Sequence, residues 1–234
     1  MKNKLTMMLM GSLVATSVYA GGVEENPTLT KVMINQFESR SATGSDPLIL
    51  EADMWIGKDL NKLWFKTDIE RVNSKTSEFE LQALYSRAIA PFWDLQVGVR
   101  KDFNPKPTRD WLVLGLNGLA PYFFEVDTAV FIGEQGRLGL RLDAEYEILF
   151  TQKLILTPDV SINIHSKDDP QTGTGSGLSD IQLGLRLRYE IVREFAPYIG
   201  INWNKKYGQT ADYARADGED ISDAQFVVGI RAWF

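Results

Sequence analysis

The closing stretch of the chain, Asp223 to Phe234, constrains it most. Counting back from the last residue, Phe234, Ala232, Ile230, Val228 and Phe226 are apolar, and the interleaved positions hold Trp233, Arg231 and Gly229. A period of two means an extended strand with one continuous apolar face, because successive side chains point to opposite sides. A strand of this kind that ends on an aromatic carboxy-terminal residue is the assembly signature of an outer-membrane β-barrel. The competing reading is a half-buried terminal strand in a soluble sandwich.

The rest of the chain decides between them. Alternating segments recur at 31–39, 47–58, 61–72, 76–89, 92–102, 109–119, 121–133, 136–150, 152–166, 178–191, 194–207 and 222–234. They predict an all-β fold, an antiparallel up-and-down transmembrane barrel of about twelve strands. In a bacterial barrel both termini lie on the periplasmic side, where turns are short, and the other set of connections faces outward and is longer. The even-numbered connections, near Lys58 to Asn61, Ala90-Pro91, Ala120-Pro121, Phe150 to Gln152 and Val192-Arg193, are all tight. The odd-numbered set includes Arg40 to Asp46, Phe103 to Thr108, His165 to Gly177 and Gly208 to Ile221, the last two rich in Gly, Ser, Thr and Asp. A soluble sandwich has no reason to sort its connections by parity.

Composition agrees. No window of about 18 uncharged apolar residues occurs beyond the amino terminus, which excludes helical membrane spanning, and a mean hydropathy of −0.18 does not exclude a barrel, whose strands hide half their residues in a polar lumen. Lys2 and Lys4, the apolar run from Leu5 to Val14 and the small-residue ending Val18-Tyr19-Ala20 read as a secretory leader over 1–20. A short disordered segment over 21–30 and the barrel over 31–234 are expected to follow. The absence of cysteine excludes disulfides and thiolate chemistry. A net charge of −6, more acidic still once Lys2 and Lys4 leave with the leader, is a poor match for nucleic acid and a natural one for cations.

Facing follows from the alternation. Leu138, Leu140, Leu142, Ala144, Tyr146 and Ile148 form a lipid side opposite Gly139, Arg141, Asp143, Glu145 and Glu147. Trp93, Tyr122, Phe124, Tyr146, Phe150 and Phe234 sit beside the short turns, where an interfacial aromatic girdle belongs. The inward set mixes Lys66, Asp68, Glu70, Glu78, Glu80, Asp94, Arg100, Glu125, Asp127, Arg141, Asp143, Glu145, Asp159, Arg186, Arg188 and Arg231. Two readings stay open for it: an ion-pair network that fills a narrow lumen, or carboxylates that line a cation path. Enzyme chemistry is not expected. His165 is the single histidine, which excludes a zinc site of several imidazoles. Ser161, Asn163, Asp159 and His165 lie in a row along one strand rather than converging as a triad requires.

Several stretches carry a family resemblance. Phe92-Trp93-Asp94-Leu95-Gln96-Val97-Gly98-Val99-Arg100, Gly118-Leu119-Ala120-Pro121-Tyr122-Phe123-Phe124-Glu125-Val126-Asp127, Leu142-Asp143-Ala144-Glu145-Tyr146-Glu147, Lys167-Asp168-Asp169-Pro170, Gly175-Ser176-Gly177-Leu178-Ser179-Asp180 and Arg193-Glu194-Phe195-Ala196-Pro197-Tyr198 resemble, in this order, the copper resistance protein B family. The resemblance implies a monomeric barrel in the outer membrane of a Gram-negative bacterium. It would be surrounded by lipid, would handle copper ions for copper tolerance, and would act with a periplasmic multicopper oxidase or copper carrier. Family members often carry a Met/His-rich amino-terminal segment thought to bind copper. Here Met1, Met7, Met8 and Met10 fall in the leader, and Met33 and Met54 remain. Metal ligands would then be oxygen-rich with one imidazole, a set suited to Cu(II): His165 and Asp159 on one strand face, with Asp168 and Asp169 at its outer end. The alternative is a structural or general small-solute barrel without metal specificity.

Overall fold

The computed structural model describes residues 26–41 and 46–234. Twelve strands follow in chain order: β1 (Leu29–Ser41), β2 (Leu48–Gly57), β3 (Asn61–Val72), β4 (Lys75–Ala90), β5 (Trp93–Asn104), β6 (Arg109–Ala120), β7 (Phe124–Gly133), β8 (Leu138–Glu145, continued by Ile148–Leu149), β9 (Leu154–His165), β10 (Gly177–Tyr189), β11 (Phe195–Lys206) and β12 (Ser222–Trp233). Each pairs antiparallel with its sequence neighbours, and β12 returns to pair with β1, so the sheet closes. At the seam Val32 and Phe234 exchange both backbone hydrogen bonds, at 3.0 and 2.8 Å. The terminal aromatic residue thereby completes the ladder.

β8 is interrupted for a local reason. Asp159 faces Glu145 and Leu156 faces Ile148, which puts Pro158 opposite Tyr146 in the same register. Tyr146 donates to the Pro158 carbonyl at 3.1 Å, but proline has no N–H to return the bond. The ladder therefore lapses at Tyr146-Glu147 and resumes two residues on, and the facing of the strand is unchanged.

The connections at the end carrying both termini are all short. At the opposite end the longest are 166–176 and 207–221, as expected, yet the third and seventh connections there are also tight. β3 turns into β4 through Asn73-Ser74 alone, with φ of 51° and 64° at the two positions, the left-handed pair that a two-residue hairpin requires.

Three expectations need correction. β1 starts at Leu29, so Leu29 and Thr30, placed by the sequence in a disordered segment, pair with Gly57 and Ile56. The leader expected over 1–20 lies outside the described residues. The stretch after β11, read as loop, contains helix α1 (Gly208–Ala216). Its Gln, Ala and Arg residues favour helix, Ala211 and Ala214 are buried on one face, and Arg215 pairs with Asp212 at 2.6 Å. Finally, β1 carries a bulge between Ile34 and Phe37, which shifts the alternation and turns Glu38 and Arg40 inward.

Outward positions form a continuous apolar belt that includes Leu112, Leu114, Leu140, Ile199, Ile201 and Val228, all exposed. Met54 belongs to this outward set, whereas Met33 shares the inward face with Asn35. At the short-turn end Tyr122, Phe150 and Phe234 are exposed, and the Phe124 and Tyr146 rings meet at 4.9 Å.

Two outcomes test this arrangement. Leu140→Arg places a charge in the apolar belt and should destabilise the barrel by about 2–4 kcal/mol. Gly139→Ser should be mild, since a Cβ there would meet Phe131 and His165 at ordinary distances of 3.5 and 3.6 Å. Denaturant titration of the two purified variants checks this, and equal losses would reject the facing. Deleting Phe234 removes both closing bonds with Val32, so the amount of heat-modifiable barrel in membranes should fall while synthesis stays constant.

Candidate functional site

The candidate site is the lumen, and alternation alone determines who lines it. One wall is apolar. Leu84, Val113 and Phe131, inward on β4, β6 and β7, are buried together with Trp64, Trp111 and Ala129 packed against them. Around these three residues the sequence is apolar on both faces (Ala83-Leu84-Tyr85, Leu112-Val113-Leu114 and Val130-Phe131-Ile132), so the alternation that marks polar-lined stretches is silent about them. Two guanidinium groups cover the patch, Arg100 at 4.4 Å and Arg141 at 5.4 Å from the Phe131 ring centre.

Both arginines converge on one carboxylate. Glu80 receives Arg100 at 2.8 Å and Arg141 in a forked contact at 3.1 and 2.9 Å. Arg100 also donates to Asp102 at 2.7 Å, and the Trp111 indole N–H donates to the same carboxylate at 2.8 Å. A second centre lies near the β12–β1 seam. Glu38, 1% exposed, accepts from Arg186 at 3.0 and 2.9 Å, from Arg40 at 2.7 Å and from the Tyr198 hydroxyl at 2.7 Å. Gly229 makes room for this packing, since a Cβ there would lie 2.6 Å from the Tyr198 ring and 2.7 Å from the Glu38 Cβ. The bulge in β1 hid Glu38 and Arg40 from sequence reasoning. Arg231 meets Glu145 at 2.9 Å, Lys62 meets Asp94 at 3.2 Å, and Lys66 pairs with Asp127.

Not every acid is matched. Glu51 on β2 faces Asp68 across the ladder, and among the described residues it makes no hydrogen bond or ion pair. Asp53 follows on the same face and accepts from Asn35 at 2.7 Å. Six strands around the wall from β2, Asp143 and Glu145 belong to the lumen-facing set of β8. Carboxylates from opposite walls therefore confront one another across the lumen.

The chain can now be placed among known proteins. The family described as "Copper resistance protein B precursor (CopB)" matches residues 28–234. The chain belongs to the copper resistance protein B family. A copper resistance protein B homolog of Pseudomonas syringae pv. tomato is 42% identical over 221 residues, covering 94% of this chain and 75% of the relative. Copper resistance protein B of Escherichia coli is 44% identical over 203 residues, covering 87% and 69%. Among solved structures the NanC porin is similar in fold, with a TM-score of 0.58 at 12% identity over 87% of this chain and 99% of the porin. The family and the outer-membrane barrel architecture thus agree.

The residues singled out as metal ligands for this family member are dispersed. Asp159 and His165 do share one inward face of β9, but six residues of strand separate them by about 20 Å. Asp159 is bound to Arg186. The His165 Nδ1 contacts the Ser179 hydroxyl at 2.8 Å, and Nε2 has no hydrogen-bond partner among the described residues. Asp168 is exposed and accepts the Ser176 backbone N–H at 2.7 Å, which holds its carboxyl below the usual range. Asp169 is buried, which by itself would raise its pKa. The Arg109 hydrogen bonds and the charges of Arg109 and Arg137 outweigh that and lower it. Among the described residues no group of three or more His, Asp or Glu side chains is placed to hold a metal ion.

Glu38 yields the clearest energetic test. Glu38→Ala would leave Arg186 and Arg40 buried beside an uncharged gap, a loss of about 3–5 kcal/mol. Chemical unfolding of the purified barrel should read that loss; a change confined to a few tenths would show that the centre is hydrated rather than buried.

Proposed function

We propose that this barrel resides in the outer membrane of a Gram-negative bacterium and supports copper tolerance by binding copper or passing it through the lumen. Family membership gives the reading its metal. The observation that carries it is the set of carboxylates Glu51, Asp53, Asp68 and Asp143, which lie on facing walls without a full complement of cations. Such a lining attracts cations and disfavours anions. It is also compatible with a leader over 1–20, a periplasmic oxidase or carrier as partner, a monomeric state and a non-enzymatic role, each of which belongs to this same reading.

Ligands follow from availability. Asp159 and Asp169 would have to leave arginine partners in order to coordinate, whereas His165 offers Nε2 and Asp168 is exposed. His165 with Asp168 is therefore the centre of the proposed set, and Asp159 and Asp169 are secondary. An imidazole beside carboxylates suits Cu(II). Coordination requires the neutral ring, so affinity should fall on acidification, as the imidazole takes up a proton.

The expected outcome is that His165→Ala weakens Cu(II) binding by purified protein about tenfold, close to 1.4 kcal/mol, and impairs growth in copper without lowering assembled barrel. Isothermal titration with Cu(II), with Zn(II) as control, checks it. Unchanged binding would remove His165 from the site. Wild-type protein that binds no copper would favour a general small-solute barrel.

A further inference from the structure

The connection between β9 and β10 does not stand away from the barrel as an open loop. Asp169 and Thr174 bond each other backbone to backbone at 2.7 and 3.1 Å, which folds 166–176 into a small hairpin. The Asp169 carboxylate, 6% exposed, then takes a forked contact from Arg109 at 2.8 and 3.1 Å, and Arg137 approaches it at 3.6 Å. Arg109 is the first residue of β6, three strands around the wall from β9. On the other flank the Gly175 N–H donates to the Thr210 hydroxyl of α1 at 2.8 Å, and a Cβ at position 175 would lie 2.3 Å from the Thr210 nitrogen. Helix α1 in turn rests against β10 and β11.

The hairpin is thus tied at its base to the start of β8 and to the turn before it, through Ser166 and Lys167, and reaches from there to β6 on one flank and α1 on the other. Joining β9 to β10 does not need this. Asn73-Ser74 joins β3 to β4 at the same end with two residues. The span is held by polar contacts rather than by apolar packing: beside the forked Arg109–Asp169 pair, Arg109 donates to the Gln171 side chain at 3.0 Å and Lys167 to the Gln135 carbonyl at 2.7 Å, and the return arm carries Gly173 and Gly177 at φ of 70° and 87° with open space around each. Glycine in that conformation sits without strain and leaves the arm free to change direction.

We propose that residues 166–176 form a gate over the long-loop mouth of the barrel, latched to β6 by the Arg109–Asp169 ion pair. Release of the latch swings the hairpin away and opens the lumen to solutes. This goes beyond the copper reading, because it concerns the passage of any small ion and is read without copper.

The chain has no cysteine, which permits a reversible test. In the full-length Arg109→Cys/Asp169→Cys variant, a short bis-methanethiosulfonate linker can replace the ion pair and be cut by reductant in the same molecules. Unitary conductance would be recorded in planar lipid bilayers in potassium chloride. The linked barrel supplies the reference level, and reduction should raise conductance several-fold above it. Asp169→Asn, which keeps the shape and removes the charge, should show the raised level without treatment. Equal conductance before and after reduction, with Asp169→Asn matching wild type, would overturn the gate. A folding defect cannot imitate the expected result, since linked and reduced states are compared in one population of assembled barrels.

Discussion

Every feature of this molecule depends on closure of one hydrogen-bonded ladder. A strand edge left open in hydrocarbon would strand a row of N–H and C=O groups with no partner, and only a closed sheet has no edge. Here the closing seam joins the first strand to the last, across nearly the full length of the chain. It is reinforced from the inside. Glu38 on β1 binds Arg186 on β10 and Tyr198 on β11, partners 148 and 160 residues away in sequence. The interaction costs desolvation of a buried carboxylate, which three donors offset by supplying hydrogen bonds and opposite charge. Its value to the fold is positional. It ties the seam to two further strands and specifies register in a region where the β1 bulge would otherwise leave it ambiguous.

Closure also fixes the lumen, and the lumen is not uniform. Where Leu84, Val113 and Phe131 of β4, β6 and β7 meet, it is a small hydrophobic core capped by Arg100 and Arg141, so that part of the wall is packed. Along β2 and β8 it is carboxylate-rich and incompletely paired. A narrow barrel filled evenly with ion pairs would be an inert plug. Packing one side with Leu84, Val113 and Phe131 concentrates the polar groups, and whatever aqueous path exists, on the other. Of the two readings left open by composition, ion pairs fill much of the interior, and incompletely paired acids such as Glu51 line another part of it, where the cation path is the role proposed above.

Much of this was legible in the sequence, for one reason. A period of two survives wherever one face meets an apolar medium and the other a polar lumen, so strand positions and facing could be read from Lys31 to Phe234. What escaped was whatever breaks or hides the period. The bulge at β1 moved Glu38 and Arg40 inward without a compositional trace. Pro158 interrupted its neighbour β8 rather than its own strand. Leu84, Val113 and Phe131 lie in stretches apolar on both faces, where alternation carries no information. The helix α1 was concealed by the Gly and Asp residues that flank a short Ala-rich core. Among the proposed ligands, shared facing was readable for Asp159 and His165, but partners were not: Arg186 and Ser179 come from the neighbouring strand β10, where pairing depends on register and rotamer, and Arg109 reaches Asp169 from β6, 60 residues away.

The same residue, Asp169, stands in both the secondary ligand set and the latch, and that overlap has a thermodynamic consequence. A cation that takes the Asp169 carboxylate must displace Arg109 and Arg137, so cation binding there and an unlatched hairpin favour each other. Linkage makes the relation reciprocal: whatever opens the hairpin frees Asp169 and strengthens its attraction for cations by the same factor. His165 joins the hairpin by a second route, since the Ser179 hydroxyl that contacts its Nδ1 at 2.8 Å donates to the Gly175 carbonyl at 3.0 Å. On the proposed copper reading, a cation at Asp169 would compete with the latch directly, whereas one on the His165 Nε2 would leave the Arg109–Asp169 pair in place.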